Sequence, residues 1–154
     1  MTYEIKCTIP VTPQPKRRVR AASHGGRVVT YKDRSTKLFE RSVALYLRQY
    51  APLQPLEGPV RFRIDFIHPR PRRLLQRTKS GQPVAPGLHW KPTTPDLSNL
   101  CKAIEDAAQV AGIIHNDSQI AELHALDFYS ERDQEPRIVL TISELPAWGG
   151  ARED

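Results

Sequence analysis

Apolar and polar positions alternate with period two at the start of the chain, where Tyr3, Ile5, Cys7 and Ile9 interleave with Glu4, Lys6 and Thr8. Successive strand side chains point to opposite faces, so this pattern predicts a half-buried strand. The alternation returns over residues 60–67, with Val60, Phe62, Ile64 and Phe66 set against Arg61, Arg63 and Asp65. Between the two, the spacing lengthens to three and four. From Ser35 on, Leu38 or Phe39, Val43, Tyr46 or Leu47 and Tyr50 mark one face of a helix that ends before Pro52. A second helix follows Pro95, with Asp96 suited to the N-cap and Leu97, Leu100, Cys101, Ile104, Ala107 and Ala108 on its apolar stripe until Gly112 breaks it. His24-Gly25-Gly26-Arg27 reads as a turn, with Val28, Val29 and Tyr31 in a short returning strand. Residues 120–129 and 136–142 predict two more strands, joined by the charged turn Glu131-Arg132-Asp133-Gln134 as a hairpin. These elements predict an α/β chain of the α+β kind: a two-layer sandwich, with a mixed sheet of four to five strands and two helices on one face.

At 154 residues the chain is one domain by length, taken as residues 1–145, with 146–154 as a disordered tail. Hydrophobic residues make up 39%, and 14 prolines imply long irregular loops or a core completed by a second copy, which makes a homodimer an expectation. Cys7 and Cys101 fall on apolar positions and form no close pair, as expected of free thiols in a reducing compartment. Glu4 and Lys6 interrupt any leader at once, and no long apolar span follows, so a cytoplasmic protein without membrane contact is expected. Charge is divided unevenly. Residues 1–95 carry 19 Lys and Arg against 5 Asp and Glu, a balance of +14, whereas residues 96–154 carry 4 against 12, a balance of −8.

The positive half points to a polyanion, although solvated cations balancing acidic residues elsewhere in the fold are the plain alternative. Two loops concentrate it. An arm over residues 10–27, stiffened by Pro10, Pro13 and Pro15, presents Lys16, Arg17, Arg18, Arg20 and Arg27. A flap over residues 68–94 holds Arg70, Arg72, Arg73, Arg77, Lys79 and Lys91 with no acidic residue, and Leu74 and Leu75 suit a short helical turn inside it. At 27 residues it exceeds the roughly 12–15 beyond which a structureless loop is functional or disordered. The arm carries no aromatic ladder for single-stranded bases, so duplex DNA contacted through phosphates is the expected ligand.

Residues 94–120, TPDLSNLCKAIEDAAQVAGIIHNDSQI, carry the candidate chemistry. Ser98, Asn99, Lys102 and Asp106 recur at three and four residues on the polar side of the second helix, and the turn His115-Asn116-Asp117-Ser118 supplies another carboxylate. Asp96 and Asp106 stand about 15 Å apart along a helix axis, too far to share an ion. Asp96 and Asp117 suffice for a hard cation completed by water and phosphate if the fold returns the turn to the helix. Plainer readings stand beside these: Asp96 as a helix cap, Asp117 as an Asx turn, Lys102 as a cation paired with Asp106, and Asp65 as a solvated strand residue. His89, His115 and His124 lack zinc-ligand spacing, and no phosphate-binding glycine loop for a nucleotide is present.

The run P-D-L-S-N-L-x-K-A-x-x-D-A, followed by N-D-S-Q-I, resembles the signature of the RusA-type Holliday-junction resolvases, endonucleases common in prophages. That resemblance implies an intertwined homodimer that uses Mg²⁺, or Mn²⁺, to nick four-way or other branched DNA in recombination and repair. It assigns catalysis to Asp96, Lys102 and Asp117 and metal binding to Asp96 and Asp117. Two positions depart from the family pattern: Ser98, which would then meet the metal through water, replaces the second helix aspartate, and Asn116 replaces the first aspartate of the turn.

Overall fold

The computed structural model describes residues 2–17, 20–31, 34–75, 80–82 and 84–148. In chain order the elements are β1 (Glu4–Ile9), β2 (Arg20–His24), β3 (Arg27–Tyr31), α1 (Arg34–Arg48), β4 (Val60–His68), β5 (His89–Trp90), α2 (Leu97–Val110), β6 (Ile120–Tyr129) and β7 (Arg137–Glu144). They fall into two units. Residues 1–13, 58–94 and 120–154 make a sheet unit, and residues 14–57 and 95–119 make a helical unit.

In the sheet unit the strand order is β1-β7-β4-β6-β5. β7 runs antiparallel to both β1 and β4, whereas β6 runs parallel to β4. The register aligns the apolar positions of three strands into rows: Ile5–Ile142–Phe62, Cys7–Leu140–Ile64 and Ile9–Ile138–Phe66. All nine side chains are buried. Burying each large one is worth about 1.5–3 kcal/mol, so this face carries most of the sheet's stabilisation. The opposite face presents Glu4, Lys6, Arg61 and Arg63, as period two requires.

One expected pairing is corrected here. The strands at 120–129 and 136–142 do not form a hairpin with each other, because β4 lies between them and pairs with both. The physical reason is in β4 itself: Phe62, Ile64, Phe66 and Ile67 are all buried, and a central place satisfies its backbone on both edges. The flap is also more structured than a plain loop. It contains a 3-10 turn, Arg72–Leu74, and β5, which pairs antiparallel with β6 through His89↔Tyr129 and Trp90↔Phe128.

In the helical unit, α1 and α2 pack together. α1 buries Phe39, Val43, Ala44 and Leu47, and α2 buries Leu100, Cys101, Ala103, Ile104, Ala107 and Ala108. β2 and β3 pair as a separate two-stranded ribbon turned at Gly25 and Gly26, both at positive φ. Cys7 and Cys101 are free and buried. A mixed five-stranded sheet, a two-stranded ribbon and two helices make an α+β fold. No helix among the described residues is long and apolar enough to cross a membrane.

α2 ends at Val110 with Ala111 as its C-cap, and Gly112 takes φ +79°, which turns the chain out of the helix. A Cβ built there meets nothing within 4 Å, so backbone conformation alone decides what substitution costs. Gly112→Ala should lower unfolding stability by about 1–2 kcal/mol, the cost of a left-handed residue with a Cβ. Gly58→Ala, equally open but without positive φ, is the control and should be near neutral. Urea unfolding of both variants checks this, and an unchanged midpoint for Gly112→Ala would refute it.

Candidate active site

The polar side of α2 gathers charge of both signs. The Lys102 ammonium donates to the Asp117 carboxylate and lies 3.8 Å from Asp106 Oδ1 and 4.0 Å from Glu105 Oε2. On the other flank, Lys16 Nζ reaches Asp106 Oδ2 at 2.7 Å, an ion pair without hydrogen-bond geometry at that oxygen. The Lys16 backbone N–H donates to the Asn99 carbonyl at 3.0 Å, which lays the proline arm against α2.

Asp117 arrives there because the turn that carries it is firmly held. Gln119 Oε1 accepts the N–H groups of His115 and Asn116 at 2.7 and 3.0 Å, and its Nε2 donates to the Leu56 carbonyl at 2.6 Å. Asn116 Oδ1 accepts the Ser118 N–H at 2.9 Å. This Asx turn is made by Asn116, so the neighbouring carboxylate of Asp117 is turned to Lys102. Leu56 closes the support, donating to the Ile113 carbonyl at 2.8 Å and forming a bridge with Ile114.

The electrostatics follow from these contacts. The hydrogen bond from Lys102 pulls the Asp117 pKa below the usual carboxylate value, and the same bond raises that of Lys102, which therefore stays an ammonium at neutral pH. Glu105 moves the other way. Burial raises its pKa, and the nearby Lys102 only partly offsets this.

Asp96 occupies the N-cap position, but its side chain makes no capping hydrogen bond. It is exposed, as are Ser98 and Asn99. The structure therefore brings Lys102 to Asp117, adds Asp106, Glu105 and Lys16, and leaves Asp96 outside that cluster of ion pairs. Glu105 went unrecognised in the sequence, although it stands three residues from Lys102 on the same helix. Among the described residues no group of three or more His, Cys, Asp or Glu side chains is arranged to hold a metal ion. Carboxylate oxygens suit a hard divalent cation, which needs only one or two of them, so the exposed, uncapped Asp96 and the half-exposed Asp117 fit that donor chemistry.

The expected DNA contacts divide. Arg17, Arg27, Arg72 and Arg73 are exposed, Arg73 lying over the Tyr129 ring at 5.6 Å. Arg18, Arg77, Lys79 and the side chain of Arg20 lie outside the described residues. Three more are half-buried and engaged by protein groups. Lys16 is held at Asp106. Arg70 donates to four flap carbonyls, those of Leu74, Ala85, Pro86 and Gly87, and to that of Ser130 just after β6. Lys91, with only 6% of its side chain exposed, donates to the carbonyls of Thr93 and Thr94 at 2.8 and 3.0 Å and lies 3.6 Å from Asp127. Asp127 in turn meets His68 Nε2 at 2.6 Å, and burial lowers the His68 pKa. Arg70 and Lys91 thus act as internal braces of the flap, because loop carbonyls without ladder partners need donors.

A carboxyl with a raised native pKa holds its proton more tightly folded than unfolded. Its ionisation therefore costs stability above the ordinary carboxylate range, and the cost vanishes below it. Glu105→Gln should accordingly be more stable than the parent at pH 7 in urea unfolding, with the advantage gone near pH 4. A parent at least as stable at pH 7 would show that attraction to Lys102 outweighs burial.

The profile of the family described as Endodeoxyribonuclease RusA matches residues 10–143. A relative from Bacillus subtilis (strain 168), described as uncharacterized protein YqaN, is 32% identical over 143 residues, 93% of this chain and 98% of the relative. Both likenesses span the arm, the flap, α2 and the turn that follows it. The chain belongs to the RusA endodeoxyribonuclease family.

Proposed function

We propose that this protein is a structure-specific endodeoxyribonuclease that resolves four-way DNA junctions by paired nicks, with Mg²⁺ or Mn²⁺ as cofactor, in recombination and repair. The observation that carries this reading is the contact between Lys102 and Asp117, fifteen residues apart, which unites the helix motif and the turn motif on one polar surface. Asp96 and Asp117 would hold the ion, and Ser98 would meet it through a water. Bound there, the ion would polarise the scissile phosphate and lower the pKa of an attacking water.

The protein's own groups supply the rest. Lys102, kept charged by its carboxylate neighbours, neutralises charge that develops on the phosphate oxygens or on the leaving 3′ oxygen. It is a fixed cation rather than a proton acceptor. Asp106 and Glu105 limit where its ammonium travels, and Lys16 balances Asp106, so that the carboxylates do not repel an approaching phosphate unopposed. Two copies of the chain would present two such sites to the two-fold symmetry of a junction.

The test is incubation of the pure protein with a labelled mobile four-way junction and with a linear duplex, each with Mg²⁺ and with EDTA. Metal-dependent symmetric nicking of the junction alone supports the proposal. Retention without cutting in either condition would instead assign a junction-binding protein, and cutting of flaps in preference to junctions would change the substrate.

Asp96→Asn and Asp117→Asn should each slow cleavage by roughly 10²-fold or more, the scale on which losing one preorganised charged group acts. Junction binding should be retained or tightened, since each change removes a negative charge near phosphate. Native-rate cutting by either variant would remove that residue from the site.

Ser98→Asp restores a carboxylate at a position where the family pattern has one. It should lower the Mg²⁺ concentration for half-maximal cleavage, because an added anionic ligand strengthens attraction for the ion. Folding should be little affected, since position 98 is exposed and acidic residues in a first helical turn are favoured by about 0.3–1 kcal/mol. An unchanged Mg²⁺ titration, alongside loss of cleavage in Asp96→Asn, would mean that position 98 does not face the ion.

A further inference from the structure

With Lys16, Arg70 and Lys91 engaged by protein groups, and Arg61 paired with Glu122 at 2.8 Å, the cations open to a polyanion among the described residues are not confined to the loops. α1 holds four. Arg34, Lys37, Arg41 and Arg48 are all exposed, and none makes a side-chain hydrogen bond or ion pair among the described residues. At 100° per residue the four positions fall within about 60° of arc, a single stripe. The one acidic residue of the helix, Glu40, is 8% exposed and already engaged.

The stripe borders a cleft of about 550 Å³, walled by Lys37, Arg41 and Arg48, with Ala44, Leu45 and Val110 as its apolar part. Glu40 also lines it. Leu45 and Val110 are 56% and 50% exposed, so apolar surface and cations share one open groove. That combination matches a sugar-phosphate strand, whose deoxyribose rings suit apolar contact while its phosphates take the cations. Length agrees. From Arg34 to Arg48 is about 21 Å along the axis, close to six nucleotide steps of a duplex strand at about 3.4 Å each. A second cleft of about 320 Å³ shares Glu40 and Val110 with the first and is lined by Lys16 and Asp106, which makes the groove continuous with the charged side of α2.

We infer that this face of α1, closed by Val110 at the end of α2, is a second DNA contact that takes the backbone of one duplex arm. The inference rests on the reading that DNA is the ligand, and it adds a site to it. The α1 cations act on affinity and salt dependence, whereas Lys102, Asp96 and Asp117 act on the chemical step. Charge complementarity favours DNA over a second copy of the chain, whose own α1 stripe would repel it.

The experiment compares the full-length protein with the Lys37→Ala, Arg41→Ala, Arg48→Ala triple variant, measuring anisotropy of a labelled four-way junction in EDTA from 50 to 200 mM salt. If the three cations meet phosphates, the slope of log affinity against log salt should be shallower by about 2–3, at about 0.9 per phosphate, with affinity at the low-salt end down roughly 10-fold or more. Cleavage at saturating junction should keep its rate. An unchanged slope overturns the inference and leaves the face for an acidic protein partner. A wild-type protein that fails to bind the junction defeats the proposed function instead, so the two failures are distinguishable. Should the triple variant lose its helical circular dichroism, Arg41→Glu alone decides: roughly 10-fold weaker binding supports the contact, and undiminished affinity overturns it.

Discussion

The parallel pairing of β4 with β6 is the constraint on which the arrangement depends. Parallel neighbours cannot be joined by a tight turn and need a crossover of a dozen residues or more. Here the crossover runs from residue 69 to residue 119, and it contains the flap, β5, α2 and the turn that carries Asp117. All the residues assigned to the chemical step, Asp96, Lys102 and Asp117 with Ser98 beside them, belong to this one connection. Both its ends are fixed by the sheet, at His68 and at Ile120, and the Ser130 N–H donates to the His68 carbonyl where β4 ends.

Within the crossover, magnitudes separate what holds the site from what the site uses. Lys102 and Asp117 are 38% and 35% exposed, and ion pairs in such positions contribute about 0–1 kcal/mol. They cannot be what folds the turn. Gln119, Asn116 and the Leu56 backbone do that with hydrogen bonds to main-chain groups, and Ile113 and Ile114, both buried, anchor the turn's approach. The ion pair is therefore replaceable at small cost, as the proposed meeting of Lys102 with a phosphate requires. Glu105 is the exception, a carboxyl kept partly buried beside Lys102 at some expense to stability.

Most of the elements were legible because their periods are local properties. Rows such as Ile5–Ile142–Phe62 follow once alternation is given, and α1 and α2 follow from apolar residues three and four apart. The neighbour of each strand is not a local property. β6 and β7 follow one another in the chain, yet β4 separates them, because its buried residues compete for the central place and nothing in residues 120–144 records that competition. Asp96, Lys102 and Asp117 stand out in the sequence by type and spacing, and folding joins Lys102 to Asp117 while leaving Asp96 outside the cluster of ion pairs. The roles of Glu105, Gln119 and Lys16 were not legible there, because each depends on what folding places beside it.

Charge shows the same division more sharply. A balance of +14 over residues 1–95 states how many cations exist, not how many face solvent. A loop rich in proline has few backbone partners of its own, so its carbonyls recruit nearby donors, and a guanidinium with five N–H groups answers several at once. Arg70 is consumed in this way by the very segment whose basic composition made it look like a phosphate contact. A regular helix has no such need, since its interior carbonyls are already paired. Cations on α1 therefore stay available, whereas Arg70 and Lys91 of the flap are drawn inward, so a helix that composition marks as core packing joins the exposed Arg72 and Arg73 as a place to look for a surface that meets a polyanion.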